Sequence, residues 1–170
     1  MAKIMIIGGG AAGMYASVCL GGQGSEVHVF EKNEKLGKKL FITGKGRCNV
    51  TNQCDDETFF SSVISNPKFL YSAYYGCTST DVMEQFASMG VKLKTERGNR
   101  VFPVSDHSSD IIRALERRMK ELGVKIHLKS SVKDILLEEG KATGVLLENG
   151  TVIKGDKVIV ATGGCSYPAT

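Results

Sequence analysis

The stretch Lys3-Ile4-Met5-Ile6-Ile7-Gly8-Gly9-Gly10-Ala11-Ala12-Gly13 decides the fold. Ile4 to Ile7 form an unbroken apolar run that ends in glycines, which predicts a parallel strand covered on both faces rather than an alternating surface strand. Ala11, Ala12, Met14, Tyr15, Ala16, Val18, Cys19 and Leu20 then predict a helix whose small residues let it pack tightly on a sheet. Gly21, Gly22 and Gly24 stop it. Val27, Val29 and Phe30 make a second strand that closes on Glu31. Residues 3–31 therefore spell strand, glycine turn, helix, strand, acid, which is one βαβ unit.

Gly8-x-Gly10-x-x-Gly13 lets a backbone turn sharply, approach a pyrophosphate and pack a helix start against a strand, with the helix N-terminus facing the phosphates. The bare pattern is a weak signal in a glycine-rich chain; its place between an apolar strand and a helix makes it a dinucleotide-binding prediction. Glu31 stands near the spacing of about twenty residues expected of the ribose-binding acid. A carboxylate there accepts the ribose hydroxyls and repels a 2′-phosphate, which argues against NADP in this site. The competing reading is a solvated glutamate at a strand end.

Working outward, residues 32–54 lose hydrophobic periodicity and carry Lys32, Lys35, Lys38, Lys39, Lys45 and Arg47 against Glu34 alone, a glycine-punctuated loop suited to an anion. A mainly helical insertion is predicted at about 55–90, with helices around Thr58 to Ile64, around Lys68 to Tyr75, and a third carrying Val82, Met83 and Phe86 that ends at Gly90. Phe69, Tyr71, Tyr74 and Tyr75 read as an aromatic cluster in a core or domain contact. Leu93 to Glu96 and Arg100 to Phe102 predict short strands around Gly98-Asn99. Ile111, Ile112, Leu115, Met119 and Leu122 recur at helical spacing, and Gly123 closes that helix. Met119 to Ile126 echoes Phe86 to Leu93, a shared helix-to-strand punctuation. A β-meander follows near 131–138, 141–148 and 151–154, turned by Glu139-Gly140 and Asn149-Gly150, and Lys157 to Ala161 form a last apolar strand.

Composition bounds the rest. The 170 residues, 42% hydrophobic and 24% charged, support one packed domain and exclude wholesale disorder. The net charge of +4 suits an anionic small molecule and shows no aromatic-rich basic stripe, so no nucleic-acid partner is expected. Five cysteines without a C-x-x-C pair and three scattered histidines give no metal-ligand spacing and point to a reducing cytoplasm. No apolar run is long enough to span a membrane. His28 alternates with Val27 and Val29 as a strand side chain, His107 beside Asp106 precedes a helix as a cap or solvent group, and His127 is ordinary. Cys48 is either a redox thiol whose pKa the basic loop lowers or a small buried cysteine filling a turn.

Three motifs in order, Gly8 to Gly13, Gly44-Lys45-Gly46-Arg47-Cys48-Asn49-Val50-Thr51-Asn52, and Ala161-Thr162-Gly163-Gly164-Cys165-Ser166-Tyr167-Pro168, closely resemble the BaiN and aminoacetone-oxidase-like flavoproteins, described as NAD(P)/FAD-dependent oxidoreductases. Arg100-Val101-Phe102-Pro103-Val104-Ser105 resembles that family's middle segment. Glu31 to Lys39 also resembles the E-x5-G-G-R element of glutathione-reductase-like flavoproteins, with lysines in place of its second glycine and arginine; lysine neutralises phosphate without the bidentate fork.

The resemblance implies an α/β, Rossmann-like FAD-binding fold of glutathione-reductase type, with a parallel sheet, a β-meander and a helical insertion. Members are more than twice this length, so it also implies a truncated chain, the N-terminal part of an FAD-binding domain. FAD would bind extended, its adenosine at Gly8, Gly10, Ala11, Ala12, Gly13 and Glu31 and its pyrophosphate over the first helix, with Lys32, Lys38 and Lys39 as candidate phosphate contacts. Arg47, Cys48 and Asn49 would approach the flavin side. Val132 matches the position that contacts adenine through backbone atoms, and Ala161, Thr162 and Gly163 lie where the chain returns to the cofactor. The expected reaction is hydride or electron-pair transfer between flavin and a small organic substrate, with NAD(P)H or oxygen as the other partner. Catalytic side chains are not identified. An NAD-dependent dehydrogenase remains open on the first βαβ unit alone, as does a non-catalytic flavin-binding or RNA-associated module.

Overall fold

The computed structural model describes residues 1–164. In chain order the elements are β1 (Lys3–Ile7), α1 (Ala11–Leu20), β2 (Glu26–Phe30), α2 (Lys38–Ile42), β3 (Thr51–Asn52), α3 (Asp56–Ser61), α4 (Tyr71–Gly76), α5 (Ser79–Ser88), β4 (Leu93–Glu96), β5 (Arg100–Pro103), α6 (Ser108–Glu121), β6 (Lys125–His127), β7 (Val132–Glu138), β8 (Lys141–Leu147), β9 (Val152–Lys154) and β10 (Lys157–Val160). They fall into two compact units, one of residues 1–41 with 115 onward, the other Ile42–Ala114.

The first unit is Rossmann-like. Its parallel sheet has the order β10-β1-β2-β6, with Ile6 beside Ile159 on one flank and Val29 on the other. Met5, Ile6, Val27 and Val29 are almost completely buried, as the unbroken apolar runs require. Each such side chain contributes roughly 1.5–3 kcal/mol on leaving water. The antiparallel meander β7-β8-β9 supplies Val145 and Leu147 to a core shared with Met5 and Phe30, against which Val132, Ile153 and Val158 pack. The βαβ unit, the meander and the return strand thus stand where the sequence placed them.

The second unit holds the sheet β3-β5-β4 and the short helices α3 to α5. Several boundaries differ from expectation. Residues 32–54, read as loop, contain α2, a 3₁₀ turn at Thr43–Gly46 and the two-residue strand β3. These pieces are too short to show a period, and β3 is defined by its antiparallel pairing with β5, Thr51 opposite Val101 and Asn52 opposite Arg100. The first helix of the insertion starts earlier because Asp55 accepts from the Thr58 N–H as its N-cap. The second divides into a 3₁₀ turn, Pro67–Leu70, and α4. The third carries a capping box in which Thr78 and Asp81 exchange bonds. The aromatic cluster is made by Phe59, Phe60, Tyr71, Tyr74 and Tyr75, whereas Phe69 is 79% exposed.

The echo between residues 86–93 and 119–126 has a physical basis. After α5, Val91 N donates to Phe86 O and Gly90 N to Ala87 O; after α6, Val124 N donates to Met119 O and Gly123 N to Lys120 O. Both are Schellman stops, and Gly90 and Gly123 occupy the left-handed position at φ 81° and 72°.

Candidate functional site

The glycine turn is built by contacts that exclude a side chain at some positions and leave room at another. Gly8 donates its N–H to Phe30 O at 2.8 Å, at φ 109°, and a Cβ there would lie 2.4 Å from the carbonyl oxygen of Ala161. Ala161 in turn donates to Ile7 O at 2.8 Å, so the strand-end residues Ala161 and Thr162 meet Gly8. A Cβ on Gly13 would sit 1.9 Å from Gly8 O, which fixes α1 tightly over the end of β1.

Gly10 is different. Its backbone, φ −83° and ψ −168°, suits any residue, and a Cβ would meet no protein atom within 4 Å. It caps α1 with no side-chain hydrogen bond, and the first turn holds no acidic residue. Ala11 and Ala12 beside it are exposed. The first N–H groups of a helix have no intrahelical partner and carry the positive end of its dipole, so this open, small-residue terminus has the chemistry to receive an anion.

Glu31 is 8% exposed, so it is not a solvated strand-end glutamate. Its Oε2 accepts from Gly9 N at 2.8 Å; its Oε1 accepts from Asn33 N at 2.8 Å and Asn33 Nδ2 at 2.7 Å. A carboxylate offers about four lone-pair sites, which leaves room for a hydroxyl donor. Its backbone is pinned to the neighbouring strand, Glu31 N donating to His127 O at 2.9 Å. Lys38 reaches Asn33 Oδ1 at 3.1 Å and Glu34 at 3.5 Å, while Lys32 is exposed and Lys39 half-buried. Val132 opens the meander, paired with Leu147; just before it, Ser130 N donates to Glu31 O.

In the second unit the Gly44 to Asn52 string folds around a left-handed turn: Gly44, Lys45 and Gly46 have φ of 57°, 59° and 84°, and Cys48 60°. Arg47 is held by its own unit. Its Nε donates to Asp106 Oδ1 at 2.8 Å, its Nη2 pairs with Glu96, and its guanidinium lies 4.1 Å from the Phe102 ring centre. Lys94 completes the network, 2.7 Å from Asp106. These bonds raise the Arg47 pKa further and hold the Glu96 and Asp106 carboxyls below their ordinary range. Cys48 is 1% exposed, and burial pushes its thiol pKa up against the lowering effect of a hydrogen bond with Thr43, which favours the turn-filling reading. The exposed Asn49, with its carboxamide oriented to satisfy both partners, donates to Val101 O at 3.2 Å and Thr51 O at 3.1 Å.

Compared with known families, residues 2–170 match the HI0933-like protein Rossmann domain. The chain belongs to that family. This agrees with the resemblance read from the motifs. Among curated relatives of this HI0933-like chain, the 3-dehydro-bile acid delta(4,6)-reductase of Clostridium scindens is 34% identical over 167 residues, 96% of this chain and 39% of that protein. The ribosomal RNA dihydrouridine synthase of Haemophilus influenzae is 32% identical over 166 residues, covering 96% and 41%. The HI0933-like chain therefore spans about two fifths of the length of these relatives. Among solved structures, 3-ketosteroid-delta4-(5alpha)-dehydrogenase from Rhodococcus jostii RHA1 superposes with a TM-score of 0.73 at 17% identity, over 96% of this chain and 46% of that one. That likeness concerns the fold.

Two residues of the HI0933-like site were missed in the sequence. Gly9 sits at a variable place of the glycine pattern, yet a Cβ there would fall 2.3 Å from Leu36 Cδ2 and 3.0 Å from Glu31 Cβ. The run of three glycines was its signal. Asn33 gave none beyond its nearness to Glu31. Cys165, Ser166, Tyr167 and Pro168 of the third motif lie outside the described residues. Among the described residues no helix is long and apolar enough to cross a membrane.

Proposed function

We propose that this chain is the nucleotide-binding part of an FAD-dependent oxidoreductase that passes a hydride or electron pair between flavin and a small organic substrate, with NAD(P)H or oxygen as the other partner, in the cytoplasm. The observation that carries the reading is Gly10, a glycine that neither backbone conformation nor protein packing requires, at an uncapped helix N-terminus. A closely approaching pyrophosphate accounts for it. Glu31, reached through Gly9, fits the adenosine ribose. When bound, the flavin supplies the two-electron chemistry. The residues here bind and orient: Gly8 and Gly13 close the turn, Gly10 to Ala12 receive the phosphates, and Glu31 holds the ribose. The Gly44 to Asn52 string supports FAD over NAD through its resemblance to flavoproteins.

The relatives' names support a reaction class. A delta(4,6)-reductase and a dihydrouridine synthase both add hydrogen across a carbon–carbon double bond, and we extend that class to this protein. Denaturing the intact protein and identifying the released nucleotide by mass spectrometry tests the reading: FAD is expected, and NAD or no nucleotide overturns it. The second relative's name also favours an RNA substrate as a second reading. RNA that copurifies and dissociates at modest salt would move the substrate assignment there.

A further inference from the structure

Two histidines read as unrelated strand residues meet in the first unit. His28 is 5% exposed. The His127 ring lies nearly parallel to those of His28 and Phe30, with centroids 5.1 Å and 4.7 Å away and interplanar angles of 8°, and His28 and Phe30 are themselves 6.2 Å apart, so the three rings form a triangular cluster. His28 Nδ1 is 2.9 Å from His127 Nε2, and His28 Nε2 is 3.0 Å from Glu26 Oε1. The carboxylate can only accept, so His28 Nε2 carries a proton; a neutral His28 then accepts at Nδ1, and His127 Nε2–H is the donor. The bonds run one way, from His127 to His28 to Glu26.

The backbone of His127 is engaged as well, its carbonyl accepting the Glu31 N–H at 2.9 Å. We propose that His127, locked by His28, is a positioning residue for the ribose carboxylate of Glu31, and that protonation of the histidine pair weakens nucleotide binding. This rests on the nucleotide reading above and adds a regulator to that site.

The proton arithmetic is direct. A first proton can enter at Nδ1 of His127 without breaking the shared bond, but it places a cation against the buried rings of His28 and Phe30. A second makes Nδ1–H of His28 and Nε2–H of His127 face each other, and the bond is lost. The charges around the pair are Glu26 from β2, Lys125 from β6, which itself pairs with Glu26, and Lys3 from β1; the meander presents apolar Val145 and Leu147 to Phe30. Burial holds both histidines below their ordinary pKa, so the pair is neutral at neutral pH. The element that must yield is β6, three residues long and at the sheet edge. Its displacement carries the Glu31 acceptor with it.

The test is FAD affinity of the intact protein, read by flavin fluorescence at pH 7.5 and 5.5. Wild type is expected to bind about fivefold or more weakly at the lower pH, since one linked proton changes an equilibrium by up to tenfold per pH unit. His127→Phe keeps a ring in the stack and removes the shared bond, and should flatten the dependence to below about twofold; His28→Gln should do the same and serves if the first variant fails to fold. His107→Gln, at an exposed position, should behave as wild type. A wild-type affinity independent of pH, a His127→Phe protein with the full dependence, or a loss that tracks unfolding by circular dichroism overturns the inference. Absence of FAD binding at both pH values overturns the cofactor reading itself.

Discussion

Gly9 donates its backbone N–H to Glu31 Oε2 at 2.8 Å, so the glycine turn also aims the carboxylate at the end of β2. The two halves of the proposed nucleotide site are one hydrogen-bonded assembly, and substitutions in it should separate packing from ligand effects.

Gly10→Ala is expected to fold normally. Alanine is a poorer N-cap than glycine but lowers the entropy of the unfolded chain, and the two effects offset to within about 1 kcal/mol. FAD affinity should nevertheless fall about tenfold or more, because a methyl group enters the space left for phosphate. Gly9→Ala should lose both stability and affinity, since its Cβ overlaps Leu36 and crowds Glu31. Thermal melts with and without FAD check both.

Arg47→Lys should lower the melting temperature although charge is kept. A lysine cannot bridge Asp106 and Glu96 while stacking on Phe102. Its effect should shrink in high salt, leaving the stacking loss. Equal melting curves for the two proteins would refute this account of Arg47.

Two windows of acid sensitivity follow from the β2–β6 edge. His28 and His127 have lowered pKa values in the fold, so the unfolded chain binds more protons below about 6.5. Stability should fall as pH drops from there to their folded values. Glu26, held down to about 2 by its hydrogen bonds to Lys125 and His28, acts lower: its contribution is present above about 4.5 and is lost as pH falls toward 2. Urea midpoints across pH for wild type and Glu26→Gln should converge below pH 2 to 3 and diverge above 4.5.

Cys48 should resist alkylation in the native protein while the exposed Cys19 and Cys77 react. Mass spectrometry after a timed iodoacetamide pulse, with and without denaturant, reads this directly; early labelling at Cys48 would restore the redox-thiol reading.

The parts of the molecule legible in advance were those whose cause is local. An apolar run ending in glycines, a helix of small residues and an acid at a strand end lie within thirty residues or so, and β1, α1, β2 and Glu31 are where that pattern put them. Glu139-Gly140 turns the meander because both residues accept positive φ. What stayed hidden depends on distance along the chain. Arg47 meets Asp106 and Glu96, and His28 meets His127, only after folding, so the partners of that arginine and the pairing of the two histidines have no local signal.

The empty space at Gly10 has a consequence for the cell. A glycine codon is one base from an alanine codon, and quality control inspects exposed core, not surface turns. A lesion there would pass as a sound polypeptide, accumulate to ordinary abundance, and be noticed only through the metabolism it failed to serve.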